Sequence, residues 1–251
     1  MSPAQLAAKV RDYPQVLLMF DYDGTLVPLA PRPELARPSP RLLTLLRQLV
    51  SRPGLHLAII SGRSLRNLLE LLPVAGLYYA GLHGAEVATP EGRVTNLLPP
   101  GQEDIPWDEI FRLACQVAAG TAGLFVENKG EAIALHYRLA DPQLAAAALE
   151  QFRQGLKPFL NDNLELLPGH KVLEVRRQGI NKGLAVAYFT RQWPRALPVY
   201  LGDDRTDEDA FSALPAGGLA IRIGKQVASR ARYFLPSPAA VVQFLELLTY
   251  F

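Results

Sequence analysis

Three short apolar runs constrain this chain more than any other feature: VLLMF at Val16–Phe20, LHLAII at Leu55–Ile60 and LPVYL at Leu197–Leu201. Each is too short for a free-standing helix, and each reads as a strand buried on both faces, as in a parallel sheet. Each also stops abruptly at polar residues: Asp21-Tyr22-Asp23-Gly24, Ser61-Gly62-Arg63 and Gly202-Asp203-Asp204-Arg205-Thr206-Asp207. A parallel sheet gathers the carboxyl ends of its strands along one edge, where open α/β folds bind ligands. The pattern predicts one site built from three distant stretches.

Helix signals fill the gaps between the runs. Ser2 and Pro3 open a short helix to Arg11, and Ser39 caps an amphipathic one over Pro40–Arg52 with leucines at 42, 43, 45, 46 and 49. Strand, helix and strand then form a βαβ unit. A further helix spans Leu65–Leu72, and LYYAGLHGAEVATPEGRVTNLL reads as a strand, a histidine between glycines and a hairpin turned at Pro90-Glu91-Gly92. The proline-dense stretch VPLAPRPELARPSP stays extended, an ordered loop over the site.

Composition changes at Leu98-Pro99-Pro100-Gly101, a natural hinge. Beyond it come a helix over Trp107–Ala119, strands at Leu124–Asn128 and Ala132–Arg138, an Asp141-capped helix to about Gln154, and a strand pair at Leu164–Leu167 and Lys171–Arg176. The expected class is therefore α/β: a Rossmann-like core of residues 1–100 and 179–251 with a mainly parallel sheet flanked by helices, carrying a smaller inserted α/β unit at 101–178. The core resumes with a helix from Lys182 to about Gln192. Strands at Gly218–Ile223 and Tyr233–Leu235 and a helix at Pro238–Leu248 complete it.

Two carboxylates as close as Asp21 and Asp23 repel unless a cation lies between them, and a hard divalent ion with oxygen ligands answers that need. Asp21 is accordingly read as a metal-linked nucleophile, against the plainer reading of DYDG as a turn after a strand. GDDRTDED and Lys182 have plain readings too, as solvated loop acids and a helix-start lysine in water. Convergence of Asp21, Asp23, Ser61, Lys182, Asp203 and Asp207 at one sheet edge is the sharper expectation.

DYDGTL, SGR, NKG and GDDRTDED resemble, in order, the four motifs of the haloacid dehalogenase superfamily of phosphatases. The resemblance implies phosphoryl transfer through an aspartyl-phosphate at Asp21, with Asp23 as proton shuttle, Ser61 on the phosphate and Lys182 neutralising it. Mg2+ is the implied cofactor, held by Asp21, the Asp23 main chain and Asp203, with Asp207 in direct contact or one step behind. Thr25 either orients the nucleophile or caps the next turn. Arg63 either pairs with an acid or phosphate near the site or lies on the surface, and His83 is read as a loop hydrogen-bonding residue.

The inserted stretches FVENKGEAIALHYR and PGHKVLEVRRQGINKG, together with GLHGAE, resemble the trehalose-6-phosphate phosphatases within that superfamily. That likeness implies that Glu127, Lys129, Arg138 and Glu174 reach sugar hydroxyls from a cap whose closure excludes water. Spacing alone favours a solvent-facing, salt-bridged hairpin. A lysine frequent in the last cap strand of the family is replaced here by His170-Lys171, which leaves that contact open. Trehalose 6-phosphate is the implied substrate, with sucrose 6-phosphate and mannosyl-3-phosphoglycerate as alternatives, because the core motifs do not encode the sugar. A receiver-like phospho-Asp signalling module shares the acids and the lysine, but lacks a lid and a second acid two residues after the nucleophile.

The formal charge of +2, with 49% apolar and 20% charged residues, gives no argument for nucleic acid. The single cysteine, Cys115, excludes an internal disulfide framework and is read as a small helix-core residue. No apolar stretch of signal or membrane-spanning length appears, so the expected setting is cytoplasmic, with a small sugar phosphate as ligand and a trehalose-6-phosphate synthase as working neighbour.

Overall fold

The computed structural model describes residues 1–98, 105–160, 163–169, 171–225 and 228–250. The chain divides into two compact units, one of Met1–Leu98 with Asn181–Phe251 and one of Pro99–Ile180. The hinge read at Leu98–Gly101 falls mostly outside the described residues, as does His170.

In chain order the first unit opens with α1 (Pro3–Arg11), β1 (Val16–Phe20), α2 (Pro40–Val50), β2 (Leu55–Ile60), α3 (Leu65–Leu71), β3 (Tyr78–Gly81), β4 (Glu86–Ala88) and β5 (Val94–Asn96). The second unit holds α4 (Trp107–Ala119), β6 (Phe125–Asn128), β7 (Ala132–His136), α5 (Pro142–Leu156), β8 (Leu164–Gly169) and β9 (Val172–Arg177). The first unit then resumes with α6 (Lys182–Gln192), β10 (Leu197–Gly202), α7 (Asp207–Ala213), β11 (Leu219–Ile223), β12 (Tyr233–Leu235) and α8 (Pro238–Thr249).

The eight strands of the first unit lie in the order β12-β11-β10-β1-β2-β3-β4-β5. They are parallel from β12 to β3 and antiparallel through β4 and β5. From β1 the chain builds outward one way through β2 and β3 and the other way through β10, β11 and β12. The strand order therefore reverses between β1 and β10, the switch point at which ligands bind to folds of this kind.

The core explains why β1 tolerates no polar residue. Leu18 and Phe20 join the apolar layer formed with α1, α2, α3 and α8, whereas Leu17 and Met19 join the opposite layer with α6 and α7. Successive side chains point to opposite faces, so a strand covered on both sides must be apolar throughout. Truncating one of these fully buried residues, such as Leu18, to alanine is expected to cost about 2–5 kcal/mol. In α2 the Ser39 hydroxyl accepts from the Leu42 N–H at 3.2 Å and Pro40 occupies the first turn, which fixes the phase that buries Leu42, Leu45, Leu46 and Leu49.

The second unit is a four-stranded antiparallel sheet, β6-β7-β9-β8. One face is apolar: Ile133, Leu135, Leu173 and Val175 pack with Ile110, Ala114 and Val117 of α4 and Ala148, Leu149, Phe152 and Leu156 of α5.

Three sequence expectations are corrected. Cys115 is exposed on α4 rather than part of its core, because the buried stripe runs through Ile110, Ala114 and Val117. The acidic run after β10 is not all loop, since Asp207 begins α7, whose first turn of Asp207, Glu208 and Asp209 complements the positive end of the helix dipole. Strand β7 ends at His136, so Arg138 lies in the following turn and not two places along the strand.

Candidate active site

β1 and β10 run in register, Phe20 opposite Leu201, and the Asp21 N–H donates to the Leu201 carbonyl at 2.9 Å. That pairing carries Asp21 and the Gly202-Asp203 step to the same level at the switch point. Asp21, Asp203 and Asp207 each offer an oxygen, and these atoms lie within 4.8 Å of one another. Two glycines make this packing possible. A Cβ at Gly24, where φ is +86°, would lie 2.1 Å from Asp203 Oδ2, and one at Gly202 would lie 2.2 Å from the Asp207 carboxyl carbon.

Lys182 Nζ bridges the acids, donating to Asp21 Oδ1 and Asp207 Oδ1 at 2.7 Å each. A lysine as the first residue of a helix faces an unfavourable dipole, and burial pulls its ammonium down, yet Asp207 and Asp21 hold it well above its ordinary value. It stays charged. Asn181 caps the helix by accepting from the Gly183 N–H at 2.9 Å, which fixes where Lys182 emerges.

Asp207 is the most tightly held of the acids. Its Oδ1 accepts from Lys182 and from the Tyr200 hydroxyl at 2.7 Å, and its Oδ2 accepts from the Asp204 N–H at 2.8 Å. Tyr200 went unnoticed in the sequence because it lies inside an apolar strand. The available signal was its hydroxyl, which requires a partner when buried. Burial, with Asp207 and Asp203 nearby, pushes Asp21 well above the usual carboxylate range, although Lys182 pulls it back. Burial and the charge of Asp207 push Asp203 up to about 7. Three crowded acids around one lysine form a hard, oxygen-only donor set with an excess of negative charge, which fits a divalent cation.

Thr25 is fully buried and donates from its hydroxyl to Asp203 Oδ1 at 3.2 Å, and so orients that acid. Arg63 is turned to an acid, not to the surface. Its guanidinium grips Asp23 through Nε at 2.6 Å and Nη2 at 2.7 Å, reaches Asn67 and the Pro33 carbonyl, and lies 5.0 Å over the Tyr22 ring. The Tyr22 hydroxyl donates to the Ala36 carbonyl at 2.8 Å, so the proline-rich loop is tied down from two sides. Ser61 is buried, and its hydroxyl accepts from the Arg63 N–H at 3.2 Å. His83 sits in the left-handed region at φ 55° and donates its main-chain N–H to the Ser61 carbonyl at 2.9 Å.

In the second unit the face away from the helices is polar. Glu127, Ala134 and Glu174 are successive register partners across β6, β7 and β9, so two acids flank a methyl group. Lys129 Nζ donates to Glu174 Oε2 at 2.5 Å, and His136 Nε2 meets Glu127 Oε2 at 2.9 Å. Arg176, two places beyond Glu174, donates to Glu165 at 2.9 Å and was missed in the sequence. Lys171 holds its ammonium 5.8 Å over the Tyr137 ring.

A parallel sheet with an acid pair after its central strand, a lysine at a helix start and further acids at the switch point define a phosphatase of the haloacid dehalogenase type. The fold is similar to that of a haloacid dehalogenase-like hydrolase from Bacteroides thetaiotaomicron, with a TM-score of 0.64 over 92% of this chain and 98% of that chain at 14% identity. Residues 19–239 match the trehalose-phosphatase family, and the chain belongs to that family. It is 38% identical over 244 residues to a probable trehalose-phosphate phosphatase of Sinorhizobium fredii, covering 94% of this chain and 88% of the relative. The C-terminal domain of the Candida albicans trehalose-6-phosphate phosphatase is similar in structure, with a TM-score of 0.87, 26% identity, and coverage of 100% of this chain and 98% of that one.

Proposed function

We propose that this protein hydrolyses trehalose 6-phosphate to trehalose and phosphate through a transient phosphate ester on Asp21. The observation that carries the reading is the bridge of Lys182 between buried Asp21 and Asp207 beside Asp203, in a chain of the trehalose-phosphatase family.

Asp21 attacks phosphorus, with its oxygen aimed by the Lys182 hydrogen bond, while the ammonium neutralises charge on the transferring group. Asp23 protonates the departing sugar oxygen and then takes the proton of the water that cleaves the ester, and the Arg63 fork fixes where its carboxylate lies. Ser61 hydrogen-bonds the phosphate. Asp21, the Asp23 main-chain carbonyl and Asp203 are the residues that would hold Mg2+, with Thr25 orienting Asp203 and Asp207 holding Lys182 and the Asp204 N–H from behind. When bound, that ion supplies charge neutralisation on the phosphoryl oxygens.

Residues 101–178 are assigned as the sugar-reading cap, with Glu127, Lys129, Arg138 and Glu174 as hydroxyl partners. Charged groups with paired hydrogen bonds suit a neutral polyol. We place the protein in the cytoplasm, supplied by a trehalose-6-phosphate synthase. Among the described residues no helix is long and apolar enough to cross a membrane.

Phosphate release over a panel of sugar phosphates, with and without magnesium, tests the reading. Magnesium-dependent release from trehalose 6-phosphate ahead of sucrose 6-phosphate and mannosyl-3-phosphoglycerate is expected. Preference for either of the others moves the substrate, and a phosphoprotein stable for hours without turnover overturns the enzyme.

A further inference from the structure

The polar face of the second unit holds one acid by an arrangement unlike its neighbours. Glu174 is gripped by a flexible lysine, whereas Glu127 is gripped by an aromatic ring that is itself clamped. Phe125 and His136 are register partners across β6 and β7, and their rings stack with centroids 4.3 Å apart and planes 4° from parallel. Glu127 lies two places along the same strand from Phe125 and so on the same face, which puts it diagonal to His136, within reach of a long side chain. His136 Nε2 meets Glu127 Oε2 at 2.9 Å.

These contacts divide the labour at one carboxylate. A carboxylate is an acceptor only, so the imidazole donates from Nε2 and its tautomer is set by the contact. The stack removes the swinging freedom of the imidazole, and the hydrogen bond passes that restraint to Glu127. Oε2 is committed to the histidine, leaving Oε1 as the oxygen for a ligand hydroxyl. The side chains are partly exposed, 16% for His136 and 30% for Glu127, as a pair that meets a ligand must be. Burial pushes the Glu127 carboxyl up, but the His136 hydrogen bond and the charge of Lys129 outweigh it, so the acid is ionised.

Resting on the cap reading above, we propose that His136, braced by Phe125, is a positioning residue that holds Glu127 in its sugar-reading orientation and thereby sets the preference for the sugar phosphate over a generic ester. The histidine acts through Glu127, not on the ligand.

The test is a double-mutant cycle on the full chain with magnesium, reading kcat and KM for trehalose 6-phosphate and for p-nitrophenyl phosphate. His136→Ala is expected to raise KM for the sugar phosphate about five- to tenfold, with a much smaller change for the generic ester. His136→Gln keeps an N–H donor and should recover most of the loss, and Phe125→Leu, which removes only the brace, should fall between. The decisive comparison is Glu127→Ala with Glu127→Ala/His136→Ala. If the histidine works through the acid, the double variant is no worse than the single. Additive losses, or equal losses on both esters, overturn the proposal, and melting temperatures separate these from a folding defect. A wild type that prefers trehalose 6-phosphate while only the Glu127 variant loses that preference overturns the role of His136 alone. A wild type with no preference overturns the cap reading and this proposal together.

Discussion

The two units use their sheets in opposite ways. In the first, the acids lie beyond the strand ends: β1 and, but for the Tyr200 hydroxyl, β10 are apolar, and Asp21, Asp203 and Asp207 follow where they stop. In the second, polar groups lie on the strands themselves, Glu127 on β6, His136 on β7 and Glu174 on β9, while the reverse face is buried under α4 and α5. A parallel sheet covered on both faces has no free face to offer, so its function moves to an edge, where atoms are few but closely held. An antiparallel sheet covered by helices on one face can spread polar groups over the area of the other instead. The first arrangement suits a single reacting atom and the second suits many hydroxyls.

This contrast can be broken most sharply at Asp21. Asp21→Asn should lower turnover of every phosphate ester at least about a thousandfold with an unchanged melting temperature, and activity near wild type on any ester would remove it as nucleophile. Next comes Lys182→Met, which leaves two buried acids without their shared partner and should cost about 3–5 kcal/mol of stability as well as activity. Chemical denaturation measures it, and an unchanged midpoint would mean that the acids are neutral without the lysine. On the polar face of the second unit the effect should be selective. Glu127→Ala is expected to weaken trehalose 6-phosphate about tenfold more than p-nitrophenyl phosphate, and a uniform loss would show that the face does not read sugar.

The smallest effect concerns Asp203. Its value in the fold, about 7, lies above its ordinary 3.8, so in metal-free protein it favours folding fully at pH below the lower value and loses that contribution as pH rises through the higher one. If Asp203 holds magnesium as proposed, cation binding displaces that proton. Apparent magnesium affinity should therefore weaken as pH falls below about 7, by about tenfold per pH unit for the Asp203 proton alone and more steeply where Asp21 is also protonated, while affinity for a sugar without phosphate stays level. Calorimetric titration on either side of that pH distinguishes the two.

Much of the fold was legible because its signals are local. Val16–Phe20 and Leu55–Ile60 are strands with the expected ends, and Ser39-Pro40 starts α2 as capping chemistry requires. Helix α7 was missed because it is short and its acidic first turn, which complements the helix dipole, also reads as a solvated loop. Exposure of Cys115 was missed because a run of small and apolar residues does not reveal which side of a helix faces the core.

The sequence by itself determined that apolar strands end in acids, that a lysine opens a helix, and that an inserted α/β segment separates the halves of the core. Only the tertiary structure decided the partners. Thr25 turns to Asp203, 178 positions away, Arg63 to Asp23 rather than to open solvent, and Tyr200 to Asp207. Periodicity and capping depend on neighbours a few residues apart and are written along the chain. Hydrogen bonds between buried groups depend on strand order and register, which exist only once the sheet has closed.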